Sequence, residues 1–190
     1  MRKLVESTLV SLDGVIGSPN RWSGFDEESS RQSLQELDNY EAFVMGRVTY
    51  EFFRANWGSS TGDPLIDRIT AMPKYVASRT LSEVTWNATL LGPDLVGAIE
   101  QLKAQPGKDL IKWGVSRLDD TLLRARLIDE LQVWFVPVVV GAGQRLFEDV
   151  DTSSLQLTLT YVRKLTNSTV IHTYTPNYTG EPHDETLSVC

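Results

Sequence analysis

The chain has one cysteine, Cys190, and it is the last of 190 residues. A single thiol can form neither an intrachain disulfide nor a thiolate zinc site, so the fold has neither brace. Histidine is almost as scarce, and of the two present, His172 falls in a strand-like run and reads as a sheet residue. No metal centre is expected. Positive charge is also thin, with 18 Lys and Arg against 25 Asp and Glu, a formal net charge of -7 and a pI near 4.9. An acidic chain without basic runs does not suit nucleic acid or an anionic membrane, so individual arginines must meet any phosphate. Long apolar runs are missing too, and Met1-Arg2-Lys3-Leu4 leads straight into strand-like sequence with no apolar signal segment. A cytoplasmic protein is expected.

With 41% hydrophobic and 23% charged residues, this length fits one domain around one core. Phe43-Val44-Met45-Gly46-Arg47-Val48-Thr49-Tyr50 is the most informative stretch, a buried strand passing through one glycine into a helix. A helix starting there offers free N–H groups, with Arg47 and Thr49 in its first turn as cation and hydroxyl: an anion socket. Leu110-Ile111-Lys112-Trp113-Gly114-Val115-Ser116-Arg117 ends another strand in the same way. Two sockets in one α/β sheet suit a ligand with more than one phosphate, such as a dinucleotide. Taken singly, each is also what a plain strand-to-helix turn looks like.

Lys3 to Ser11 reads as a central strand, followed by the turn Ser11 to Gly17 and a polar loop through Gly24 long enough to act as a lid. Asp26 to Asn39 reads as a helix, Ala42 to Met45 as a strand, and Asp63-Pro64 as a helix start. Strand Lys74 to Ala77 delivers Ser78-Arg79-Thr80 to a loop. A helix over Pro93 to Ala104 precedes the strand ending at Gly114, and Leu118, Leu122 and Leu123 mark a further helical face. From Glu130 the strands follow one another directly: Gln132 to Val140, Leu155 to Leu165 and Thr169 to Thr175, an antiparallel ending with Pro137 at an edge or bulge. The domain is expected over residues 1–176, with 177–190 a polar, flexible tail whose removal costs little stability. Gly141-Ala142-Gly143-Gln144-Arg145-Leu146 starts like a dinucleotide fingerprint, but it lacks the third glycine and any following helix, and so reads as a turn.

Leu12-Asp13-Gly14-Val15-Ile16-Gly17, Val44-Met45-Gly46-Arg47-Val48-Thr49-Tyr50, Ser78-Arg79 and Trp113-Gly114-Val115-Ser116 stand in an order that resembles dihydrofolate reductase-like proteins. Leu127 to Leu131, followed by Pro137 to Phe147, is more similar to one branch. That branch is the C-terminal reductase domain of bacterial bifunctional riboflavin-pathway deaminase-reductases and its stand-alone relatives. The resemblance spans residues 2 to 175. It implies a central, mixed, mostly parallel sheet of eight or nine strands with flanking helices and antiparallel C-terminal strands, bound NADPH, and commonly a homodimer.

Carried across by residue, the resemblance implies that Gly46, Arg47 and Thr49 hold the pyrophosphate and adenosine phosphate, and that Ser78 and Arg79 meet the 2′-phosphate. Gly114, Val115, Ser116 and Arg117 would form the second phosphate turn. Thr8, Leu9, Ile16 and Gly17 would flank the nicotinamide, and Asp13 and Trp22 would lie in the mobile loop beside it. Asp13, Glu27 and Glu28 are the candidate proton donors. Two departures stand out: Ser30 falls where dihydrofolate reductases carry a pterin-binding carboxylate, and Gly114-Val115 replaces a double glycine. The implied activity is NADPH-dependent reduction of a small pyrimidine- or pterin-type heterocycle, and the other reading is a cofactor-binding regulatory or scaffold protein without turnover. The late run Trp134-Phe135-Val136 is expected to be exposed and to be covered by a second copy.

Overall fold

The computed structural model describes residues 1–153 and 155–179. β1 (Leu4–Ser11) is buried along nearly its whole length, as a strand flanked on both edges and covered on both faces must be. Strand and helix then alternate: α1 (Glu27–Leu37), β2 (Tyr40–Gly46), α2 (Arg47–Trp57), α3 (Pro64–Ala71), β3 (Lys74–Ala77), β4 (Ala88–Leu91), α4 (Leu95–Ala104), β5 (Asp109–Trp113) and α5 (Leu118–Arg124). Strands β6 (Glu130–Val136), β7 (Leu155–Lys164) and β8 (Val170–Tyr178) complete the domain without helices between them. The sheet has eight strands in the order β4-β3-β2-β5-β1-β6-β8-β7. Pairs from β4 through β6 are parallel, and only β6–β8 and β8–β7 are antiparallel. This is the mixed, mostly parallel α/β architecture expected above.

Alternation along β2 builds the core on both faces. Phe43 and Met45 pack with Leu37, Tyr50, Phe53 and Ile69 from α1, α2 and α3. Ala42 and Val44 pack on the other side with Ile99, Leu102, Leu122 and Leu123 from α4 and α5. Helix starts follow their caps: the Asp26 side chain accepts from Ser29 N, Asp63 from Leu65 N and Ile66 N, and Asp94 from Gly97 N. No helix among the described residues is long and apolar enough to cross a membrane.

Four expectations need correction. The sequence reading missed β4, which follows two residues of positive φ, Trp86 and Asn87, and has only Leu91 fully buried. Pro137 lies just past the end of β6, so it terminates that strand. Trp134 and Val136 are buried rather than exposed, because β8 pairs outside β6 and takes the inner place. Strand β8 also runs past the boundary set at residue 176: Tyr178 packs on the α4/α5 cluster and donates its hydroxyl to the Ile128 carbonyl at 2.8 Å. Asn177 and Tyr178 therefore belong to the domain, and the remaining tail beyond Thr179 lies outside the described residues.

Candidate active site

The sheet order sets the C-terminal ends of β3, β2, β5 and β1 side by side, and most of the predicted residues lie along that crest. Gly46 closes β2 and is the N-cap of α2, with extended φ of -79° and no side-chain capping bond. A Cβ built at Gly46 would meet nothing within 4 Å, so neither conformation nor neighbours demand glycine there. Arg47 opens the helix on the surface, paired with Glu51 at 3.1 Å across one turn, and Thr49 is half-buried. On the adjoining strand, Gly114 follows β5 with φ of +79°, a left-handed conformation that favours glycine, and here too a Cβ would meet nothing within 4 Å. The two sockets thus stand on neighbouring strands. Ser78 and Arg79 follow β3 on the far side of β2, and the Ser78 hydroxyl accepts from the amides of Thr80 and Leu81 at 3.2 and 3.0 Å. Ser78 therefore shapes the turn that presents the exposed Arg79.

The second turn differs from expectation at Ser116. Its N–H is already spent on the Asp119 carboxylate, and its hydroxyl accepts from Leu118 N. Ser116 therefore holds the turn from within and has no amide to offer a phosphate, while Arg117 is exposed and Val115 packs partly on the Val10 and Ile16 cluster. No peptide bond among the described residues is cis, Gly114-Val115 included.

At the β1 end, Leu9 is half-buried on the α1 face, whereas Thr8 is buried on the opposite face, that of Val10 and Val133. Ile16 is buried in that second cluster as well. Thr8 and Ile16 thus stand on the face of the sheet opposite to Leu9.

The predicted catalytic residues are mostly spoken for. The Asp13 carboxylate accepts from Ser11 Oγ at 2.7 Å, Val140 N at 3.0 Å and Gly141 N at 2.8 Å. These bonds hold its pKa down at about 2, so it is an anionic staple and no proton donor. Arg145 donates to the Asp13 carbonyl, and Ile16 N and Leu146 N bond to Gln144 O and Gly14 O. Gly141 to Leu146 is thus the partner strip of the Asp13 loop, and at Gly143 a Cβ would come within 2.8 Å of Val15 Cγ1. Trp22 donates its indole N–H to the Gly17 carbonyl at 2.8 Å, which anchors the lid. Glu28 accepts from the amides of Thr166 and Asn167 and from the Thr166 hydroxyl, bonds that lower its pKa. Glu27 stands exposed in the first turn of α1. Two concavities lie away from the crest, one of about 290 Å³ between α1 and the β6–β8–β7 face, the other of about 460 Å³ between α2 and Thr85–Trp86.

A family model for the RibD C-terminal domain matches residues 2–171. The chain belongs to that family. A Bacillus subtilis (strain 168) relative, "Uncharacterized protein YyaP", is 28% identical over 156 residues, covering 78% of this chain and 82% of its own. A structure from Shewanella sp. PV-4, named "Putative riboflavin biosynthesis protein", aligns with a TM-score of 0.71 at 22% identity, over 92% of this chain and 99% of that one. Enterococcus faecalis dihydrofolate reductase, solved with NADP(H) and RAB-propyl, aligns at 0.62 and 14% identity over 92% and 96% of the two chains. At these identities the two structures establish a shared dihydrofolate reductase-like fold.

This RibD C-terminal domain contains functional-looking residues that the sequence reading missed. Glu6, Lys112 and Asp119 are all fully buried, directly beneath the Gly114 turn. A charged residue inside an apolar strand was the available signal at Glu6 and at Lys112.

Proposed function

We propose that this chain is a reductase that takes hydride from NADPH to reduce a small heterocycle of pyrimidine or pterin type, as in the reduction of 5-amino-6-(5-phosphoribosylamino)uracil. The observation that carries this reading is the placing of two glycine turns, Gly46 and Gly114, on neighbouring parallel strands of a chain in the RibD C-terminal domain family. Both turns leave open the space a Cβ would take, so a phosphate can come close to the backbone. The kinship in fold with a reductase solved with NADP(H) supports the same cofactor. When bound, the nicotinamide supplies the hydride. The chain's own part is to neutralise phosphates with Arg47, Arg79 and the first amides of α2, and to align the ring along Leu9. With Asp13 and Glu28 committed to loop contacts, the proton that completes the reduction comes from solvent or from the exposed Glu27. The protein acts in the cytoplasm.

Calorimetric titration with NADPH, followed by NADPH consumption against a panel of pyrimidines and pterins, tests the proposal. Saturating NADPH at a hundred times its Kd should stabilise the fold by about 2.7 kcal/mol. Binding without consumption on any member of the panel would favour the non-catalytic reading, and no binding would overturn both.

We also propose a homodimer, now on different residues from those expected. Edge strand β7 exposes Leu157, Leu159, Tyr161 and Val162, between 38% and 58% accessible, whereas Trp134 is inside. An apolar outer strand of ten residues is an open template that a symmetric partner would cover. Light scattering should give twice the 21.3 kDa chain mass at micromolar concentration, and the double variant L159K/V162K should give one chain mass. A monomeric wild type would refute this.

A further inference from the structure

Three ionisable side chains meet beneath the Gly114 turn: Glu6 from β1, Lys112 from β5 and Asp119 from α5, none more than 1% accessible. Lys112 Nζ lies 2.8 Å from the Asp119 carboxylate and 3.8 Å from Glu6 Oε2. It also donates to the Gly114 carbonyl. Asp119 in turn accepts from Ser116 N–H at 2.5 Å. A buried ion pair of this kind is a poor device for stability alone, because well-packed apolar side chains of the same volume often serve as well or better. Its contacts here go to the backbone of the turn.

The geometry of that backbone follows from the grip. In a trans peptide the carbonyl and the following N–H point in opposite directions. Drawing the Gly114 carbonyl inward onto Lys112 therefore aims the Val115 N–H outward, toward the crest. Holding Ser116 N–H inward on Asp119 fixes the next peptide the other way. The Gly114 carbonyl is thus kept below and Val115 N–H is the one donor the two grips turn outward, with the Val115 carbonyl held in a fixed direction by the Ser116 bond.

We infer that Lys112 and Asp119 are positioning residues that set the Gly114–Ser116 turn in its phosphate-receiving form, an inference that rests on the cofactor reading above. Glu6 supports the pair. Burial pushes its carboxyl pKa well up, against the pull of Lys112. If Asp119 is removed, Glu6 is close enough to ionise beside Lys112 and replace the lost counter-charge. Asp119→Ala is therefore expected to fold.

The test compares wild type, Asp119→Ala and Asp119→Asn in two measurements: amide hydrogen exchange at Ser116 in the free protein by NMR, and calorimetric Kd for NADPH and NADH. In Asp119→Ala, Ser116 should lose its protection, and both nucleotides should bind about tenfold more weakly. Asn retains an acceptor oxygen, so Asp119→Asn should restore most of both. Unchanged Ser116 exchange in Asp119→Ala, or unchanged affinity for both nucleotides, overturns the inference. If the alanine variant fails to fold, Lys112→Met, which frees the Gly114 carbonyl, decides: weaker binding of both nucleotides supports the inference, and wild-type affinity overturns it. If wild type binds neither nucleotide, the cofactor reading has failed, and Ser116 exchange alone decides whether the pair sets the turn.

Discussion

Glu36→Gln should raise stability by about 3 kcal/mol at pH 8 and leave it almost unchanged at pH 4. Glu36 lies near the end of α1, beside a polar hollow lined by Gln32, Gln132, Tyr161 and Arg163. Burial pushes its pKa from about 4.5 up to about 7, while the Gln32 amide, donating at 3.0 Å, and the more distant Arg163 oppose that rise. The sign follows from proton counting. Between these two values the folded state holds a proton that the unfolded chain has released, so stability is fully present below pH 4.5 and is lost as pH rises through about 7. Gln is the neutral isostere and carries no such loss. Glu6 has a raised pKa as well, but it is common to both proteins and cancels in the difference. Urea unfolding of wild type and variant at the two pH values is the measurement. A difference that does not change with pH would mean that Glu36 titrates alike in the folded and the unfolded protein.

The strand-to-helix junctions were legible because their signals are local. Apolar β2, Gly46 and the helix after it form one continuous pattern, and β3 lies where the sequence placed it, at Lys74 to Ala77. What failed to read depended on distant partners. Asp13 looked like a loop acid beside a cleft, but its acceptors are filled by amides at Val140 and Gly141, far along the chain. The Trp134 run looked like an exposed edge because nothing in it reveals that β8 will return between β6 and β7. Glu6 and Lys112 sit in strands where alternation allows either face, and only when β1 and β5 pair and α5 packs beneath them do the charges meet. Chemistry spread over three elements leaves no local pattern in any of them.

Arg79→Ala should weaken NADPH by about 10- to 100-fold and NADH by less than about twofold. The two cofactors differ by the 2′-phosphate, whose extra charge must be met by a fixed cation in an otherwise acidic chain. Arg79 leaves the end of β3 exposed, on a turn that the Ser78 hydroxyl holds by accepting from Thr80 N and Leu81 N. Ser78 is occupied with that turn, so the discrimination is expected to fall to the arginine. Arg47 occupies a different position. It stands at the start of α2, where the cofactor's shared pyrophosphate would lie, and it is already paired with Glu51. Arg47→Ala should therefore weaken both cofactors to a similar extent, and by less than a free arginine would, because binding already has to compete with that pair. Arg79→Lys should fall between wild type and alanine, since it keeps the charge and loses the planar fork. Calorimetry on the four proteins with each cofactor separates the roles. Equal loss of NADPH and NADH in Arg79→Ala would place the 2′-phosphate elsewhere on the crest, and a selective loss in Arg47→Ala would place it at the start of α2.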